Sequence, residues 1–195
     1  MMAAFGLVRQ QGYTATSVDQ VCAAAGVSKG AFFHHFKDKQ ALAVAAAALW
    51  GESTGRMFAE HAYHRHADPL DRVLGYLDLR RSLIQGEPAD FSCMAGTMVQ
   101  ELHQSHPAIR KACGGVITGH AETLVADIQA AMDRYGAPAG WTAESLALHT
   151  QAVLQGAFIV AKASGDPQTA IDSIDHLKRY VELLFGRVTE EDSVE

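Results

Sequence analysis

Apolar residues recur along this chain at helical spacing, and no stretch sustains the period-two alternation of a half-buried strand. The pattern is cut at Gly12-Tyr13-Thr14, Gly26-Val27-Ser28, Lys37-Asp38, Ala67-Asp68-Pro69 and Gly86-Glu87-Pro88. Further cuts fall at His106-Pro107, at Gly136-Ala137-Pro138-Ala139-Gly140 and at Ser164-Gly165-Asp166-Pro167. Glycine admits the positive φ that ends a helix, and proline suits the first turn of the next one. Alanine and leucine are abundant and proline is sparse. The prediction is an all-α chain of about nine helices, with no fixed-period repeat and no low-complexity linker.

Two regions of the pattern carry more than fold class. From Ala143 to Ala163 the chain shows Leu146, His149, Val153, Gly156, Phe158 and Val160. Pro167 then opens a helix with the stripe Ile171, Ile174, Leu177, Val181, Leu184 and Phe185. A stripe of this spacing ordinarily faces the core of its own chain. Two such helices in succession, with Gly156 and Ala157 permitting close crossing, also suit a four-helix interface between two protomers.

The other region lies near the N-terminus. Thr16-Ser17-Val18-Asp19 reads as a capping box, with Thr16 as the cap and Asp19 reaching back to it. Val18, Val21, Cys22 and Ala25 then form one helical face, Gly26 ends the helix in a left-handed turn, and Val27 is expected in the core. Ser28 caps a second short helix, Lys29 to Phe36, which buries Phe32 and Phe36 and shows Lys29, Phe33, His34 and His35 outside. Small residues at the crossing and a tight glycine turn are what a helix-turn-helix requires, with the second helix free to enter a major groove.

Charge sharpens this reading. The chain as a whole carries −6, yet residues 1–50 hold Arg9, Lys29, Lys37 and Lys39 against Asp19 and Asp38, a local balance of +2. The N-terminal quarter is therefore the end suited to phosphates.

The stretches Thr16-Ser17-Val18-Asp19-Gln20-Val21, Ala24-Ala25-Gly26-Val27-Ser28-Lys29-Gly30 and Phe32-Phe33-His34-His35-Phe36-Lys37-Asp38-Lys39-Gln40-Ala41-Leu42 resemble the DNA-binding domain of TetR-family regulators. The resemblance implies a three-helix helix-turn-helix domain over residues 1–45 and a helical effector-binding and dimerisation domain over 46–195. It further implies a homodimer, paired through the two long C-terminal helices, that acts as a repressor and leaves a palindromic operator when a small molecule binds. Position by position, Lys29, Gly30, Ala31 and His34 are assigned to the groove, and Ser17, Ser28, Phe33, His35 and Lys39 to the phosphate backbone. The helix starts at Ser17, Ser28 and Asp38 would offer free amides to phosphate. Ala31 stands where the family usually has Thr, and Phe33 where it has Tyr. The chain also enters its first helix at Ala3-Ala4-Phe5-Gly6-Leu7-Val8 without the basic residues that usually precede it. All three departures predict weaker backbone affinity and a shallower salt dependence. The alternative is a helical interaction or ligand-binding protein whose DNA-binding domain has degenerated.

The remaining chemistry is sparse. Met57, Phe58, His61, Met94, Met98, His120, Trp141 and Phe158 are candidates for a mostly apolar effector pocket with a few polar anchors. His61, His64 and His66 do not share one helix face, and no carboxylate or cysteine completes a tetrahedral set, so no metal or other cofactor is expected. Cys22, Cys93 and Cys113 form no C-x-x-C pair and read as reduced thiols, with redox sensing by Cys93 and Cys113 the minor alternative. No nucleophile elbow, phosphate loop or metal triad points to an enzyme. No apolar run approaches the ~18–20 residues of a membrane span, and no signal-peptide pattern opens the chain, so a cytoplasmic protein is expected.

Overall fold

The computed structural model describes residues 1–136 and 140–187. Among them are ten α-helices and no strand: α1 (Met2–Ala15), α2 (Val18–Ala25), α3 (Lys29–His35), α4 (Lys39–Ala59), α5 (Pro69–Ser82), α6 (Pro88–Phe91), α7 (Met94–Leu102), α8 (Pro107–Tyr135), α9 (Ala143–Ser164) and α10 (Gln168–Leu184). The all-α prediction holds, with one helix more than the breaks mark out. The extra boundary lies at Ser92-Cys93, where the backbone is extended (ψ 154° and 118°). Asp90 closes the single turn of α6 by accepting from the Glu87 N–H at 3.0 Å, and the Cys93 Sγ receives the Gly96 N–H to start α7. Neither accepting side chain, Asp90 nor Cys93, is a glycine or proline signal of the kind that marks the other breaks.

The chain forms two compact units. The first contains Met1–Met57 and Glu87–His120; the second contains Phe58–Gly86 and the chain from Ala121 onward.

In the first unit, α1 is buried on two sides. Ala4 packs with Val21, Cys22, Phe32 and Leu42 to form the small core of the α1–α3 cluster, with Leu7, Val18 and Phe36 at its edge. Phe5, Val8 and Tyr13 join Ala43, Ala46 and Ala47 of α4, Met94, Ala95, Met98 and Leu102 of α7, and Ile109 and Cys113 of α8. Alanines at three positions of α4 let the helices approach closely.

In the second unit, α9 and α10 form an antiparallel hairpin turned at Gly165, which takes the left-handed conformation (φ 68°). Ala143, Ala147, Leu154, Ala157 and Ala161 of α9 are buried, as are Ala170, Ile174, Leu177 and Val181 of α10. Phe185 is buried too, so most of the regular α10 stripe lies inside its own chain rather than on an outer surface. The stripe thus takes the ordinary role of such spacing, the core of its own chain. Two ion pairs tie α10 to α5: Lys178 to Asp78 at 2.7 Å and Arg81 to Asp175 at 2.8 Å. Beneath them the fully buried Tyr76 hydroxyl accepts from Gln151 at 2.9 Å and from Arg80 at 2.8 Å.

Candidate nucleic-acid interface

The helix-turn-helix is built by caps. Ser17 is the N-cap of α2: its side chain accepts the Gln20 N–H at 3.1 Å, and the Gln20 side chain returns to the Ser17 N–H at 2.8 Å. The box is therefore one residue later than Thr16 and Asp19. Thr16 is displaced from that role because its hydroxyl donates to the Gly12 carbonyl at 2.6 Å, and the residue is buried. Gly26 ends α2 with φ 66°, as expected. Val27, by contrast, is 46% exposed, since its place in the turn points it away from the small α1–α3 core. Ser28 caps α3 by accepting the Ala31 N–H at 3.1 Å.

Only Phe32 of α3 is buried. Gly30, Ala31, Phe33, His34 and His35 are all exposed, as are Ser17, Ser28 and Lys29. Phe33 leaves 54% of its surface in solvent, with its ring edge-on to Phe32 at 5.1 Å, and the imidazoles of His34 and His35 stand 5.0 Å apart. A seven-residue helix with one buried side chain and a large exposed aromatic has a surface that the fold itself does not explain. Nor does the fold explain Gly30, whose missing Cβ would meet only the Ser28 hydroxyl at 3.7 Å.

The positive charges are less available than the sequence implies. Lys29 pairs with Asp19 at 2.8 Å. The half-buried Arg9 donates to the Asp90 carbonyl at 2.6 Å and lies over the Trp50 ring; burial lowers its pKa, against the opposing pull of Asp90. Lys39 donates to the Tyr13 carbonyl at 3.0 Å and to the Thr16 carbonyl at 2.9 Å, and its ammonium lies 4.1 Å from the Tyr13 ring centre. Burial pushes its pKa below the ordinary lysine range, while Glu101 opposes that shift. Two of its three donors thus hold the end of α1, so its first role is structural. Lys37 remains exposed, with no ion-pair partner among the described residues.

The eight effector-pocket candidates divide between the units. Met57, Met94, Met98 and His120 belong to the first; Phe58, His61, Trp141 and Phe158 belong to the second. Met94 and Met98 are fully buried and border a cavity of about 20 Å³ with Ala4, Val8, Tyr13 and Leu42, space for one water at most. Met57 is exposed and His120 half-buried. Phe58 is buried against Tyr76, and the Arg80 guanidinium lies 4.3 Å from its ring centre. The exposed His61 caps a 3₁₀ turn (Ala62–Arg65) by accepting the Tyr63 N–H. Trp141 is half-buried, edge-on to Phe185 at 5.6 Å, and Phe158 is buried. His64 is engaged with the Phe58 carbonyl, and no cluster of metal-ligating side chains occurs among the described residues. Cys22 and Cys113 are buried and Cys93 half-buried; burial pushes the Cys113 thiol up to about 12.

Two carboxylates have roles at this surface that the sequence did not assign them. Asp19 faces Lys29 from α2, which the two short helix patterns made findable. Glu101 of α7 accepts the Tyr13 and Thr14 N–H groups at 3.0 and 2.9 Å across 88 and 87 residues, and no local signal announces it.

A family model described as bacterial regulatory proteins of the tetR family matches residues 1–46, and one described as the tetracyclin repressor-like C-terminal domain matches 69–177. No curated protein matches the chain. Among solved structures, regulatory protein TetR from Rhodobacter sphaeroides is 21% identical with TM-score 0.78, covering 92% of this chain and 95% of that one. A TetR-family transcriptional regulator from Agrobacterium tumefaciens is 18% identical with TM-score 0.81, covering 92% and 93%. A TetR transcriptional regulator from Chloroflexus aurantiacus is 26% identical with TM-score 0.77, covering 92% and 90%.

Proposed function

The chain belongs to the tetR family of bacterial regulatory proteins, and from that premise we propose that it is a homodimeric transcriptional repressor that leaves a palindromic operator when a small effector binds. The observation that carries the DNA-binding half of this reading is the α3 surface. Six of its seven residues, Lys29, Gly30, Ala31, Phe33, His34 and His35, are exposed on a helix fixed by Phe32 and the Ser28 cap. Lys29, Gly30, Ala31 and His34 meet base edges; Ser17, Ser28, Phe33 and His35 position the backbone, with Lys39 contributing its remaining donor. Residues 1–45 supply this domain, and 46–195 supply effector binding and dimerisation.

Dimerisation is supported by a second set of side chains on the C-terminal hairpin. Leu148, Ile159 and Val160 of α9 and Tyr180 and Leu183 of α10 are all exposed, and these are different residues from the buried stripe. Large apolar residues concentrated on two adjacent helices mark a surface that needs a partner. A second copy is self-complementary and places two α3 helices on a palindrome. Effector binding favours a protomer arrangement whose recognition helices no longer match the half-site spacing. The reading is non-enzymatic and cytoplasmic; no helix among the described residues is long and apolar enough to cross a membrane.

Fluorescence anisotropy with DNA flanking the protein's own gene tests this. We expect sequence-specific, salt-sensitive binding, with a slope shallow for the family because Arg9, Lys29 and Lys39 have intramolecular partners. Equal affinity for flanking and random DNA at low salt would favour the interaction-protein alternative, to which the missing hydroxyls at Ala31 and Phe33 lend weight.

A further inference from the structure

The corner between α1 and α2 is held by charge from both sides. At Gly12 the backbone turns to φ 84°, which frees the amides beyond it from the helical ladder. The Glu101 carboxylate spans two of them, one oxygen on the Tyr13 N–H at 3.0 Å and the other on the Thr14 N–H at 2.9 Å. A Cβ at Gly12 would lie 2.2 Å from the nearer carboxylate oxygen, so the glycine is what lets the acid approach. On the carbonyl side, Lys39 donates to the Tyr13 and Thr16 oxygens. The corner leads straight into the Ser17 cap. The Gln11 side chain reaches from α1 to both Thr16 and Gln20, tying corner and cap together. The direction of α2, and through Gly26 the seat of α3, thus starts from this clamp.

Glu101 has a double membership. By sequence it lies inside the C-terminal family model, residues 69–177, yet α7 packs in the compact unit that contains the helix-turn-helix. We propose that Glu101 is a positioning residue for operator recognition, holding the α1–α2 corner from α7 and so fixing the seat of the recognition helix. The proposal rests on the DNA-binding reading above. Glu101 is itself exposed, so neutralising it leaves neither a cavity nor a buried charge. Its role therefore separates from that of a core residue.

The test is Glu101→Gln in the full chain. A glutamine side chain has one accepting oxygen, and its NH₂ group faces the second amide donor to donor. Hydrogen exchange should accelerate about tenfold or more at Tyr13 and Thr14, and the effect should be confined to the corner and the start of α2. The ratio of specific to random DNA affinity should fall about tenfold, while random-sequence affinity and the salt slope stay within about twofold. Glu101→Asp, which keeps the charge but reaches only one amide, should give an intermediate ratio and serves if the glutamine variant does not fold. An unchanged ratio despite faster exchange would overturn the proposal. So would a parallel loss on both DNAs with a lowered melting temperature, the mark of a merely structural residue. Absence of any sequence preference in the unaltered chain would sink the regulator reading itself, while the exchange measurement would still report on the clamp.

Discussion

Replacing Gly30 by alanine should move stability and function in opposite directions. Gly30 is the second residue of α3, is exposed, and has ordinary helical backbone geometry. The new Cβ would make one ordinary contact with the Ser28 hydroxyl at 3.7 Å and displace nothing. Alanine is favoured over glycine in an exposed helix by about 0.5–1 kcal/mol, less in a first turn. For a chain of this size the melting temperature should rise by roughly 1–3 °C. With α3 in the groove as proposed, the same methyl group would stand between the helix backbone and the groove floor. Losing the close approach should cost about the worth of one good base contact, 1–3 kcal/mol, or roughly 5- to 150-fold in affinity. Thermal denaturation and anisotropy on one preparation read both effects. An affinity within about twofold of the parent, at an unchanged or raised melting temperature, would refute the assignment of Gly30 to the groove.

Other substitutions separate roles that the sequence alone merges. Lys39→Met should lower thermal stability and weaken specific and random DNA binding alike, because it releases the carbonyl end of α1. His34→Ala should leave the melting temperature unchanged and alter which base is preferred at one operator position, read by a single-base substitution series. Leu183→Glu, at a site 67% exposed in one chain, should keep the helical circular dichroism but sediment at 20.9 kDa at micromolar concentration; a species of twice that mass would contradict the α9–α10 interface.

How far the sequence reached depended on the range of each interaction. Gly26, the Ser28 cap and Phe32 were legible because all three act within one helical turn of where they stand. The choice between Thr16 and Ser17 was not, since two adjacent hydroxyls can each start a helix, and the Gly12 carbonyl decides between them by taking Thr16. Val27 was misplaced for a similar reason: hydrophobicity says what a side chain prefers, while the turn fixes where it points. Charge was the least legible property. Lys39 reads as a cation for phosphate, yet its partners are carbonyls 26 and 23 residues away. On α10 the period of 3.6 identified a stripe, but its burial within the chain became visible only when α9 was laid against it. The exposed Tyr180 and Leu183 sit beside that stripe without a regular pattern of their own. The candidate effector residues remain the least resolved in sequence terms, because apolar residues that line a pocket and those that fill a core obey the same spacing.

Whether two copies of α3 read one operator, as proposed, is decided by chemical interference mapping on DNA from the protein's own promoter. Methylation of guanine N7 should block binding in two major-groove patches related by a dyad, their centres one helical turn (about 10 base pairs) or a multiple apart, and Gly30→Ala should weaken both patches together. Interference in a single groove, or patches that persist unchanged in the alanine variant, would contradict it.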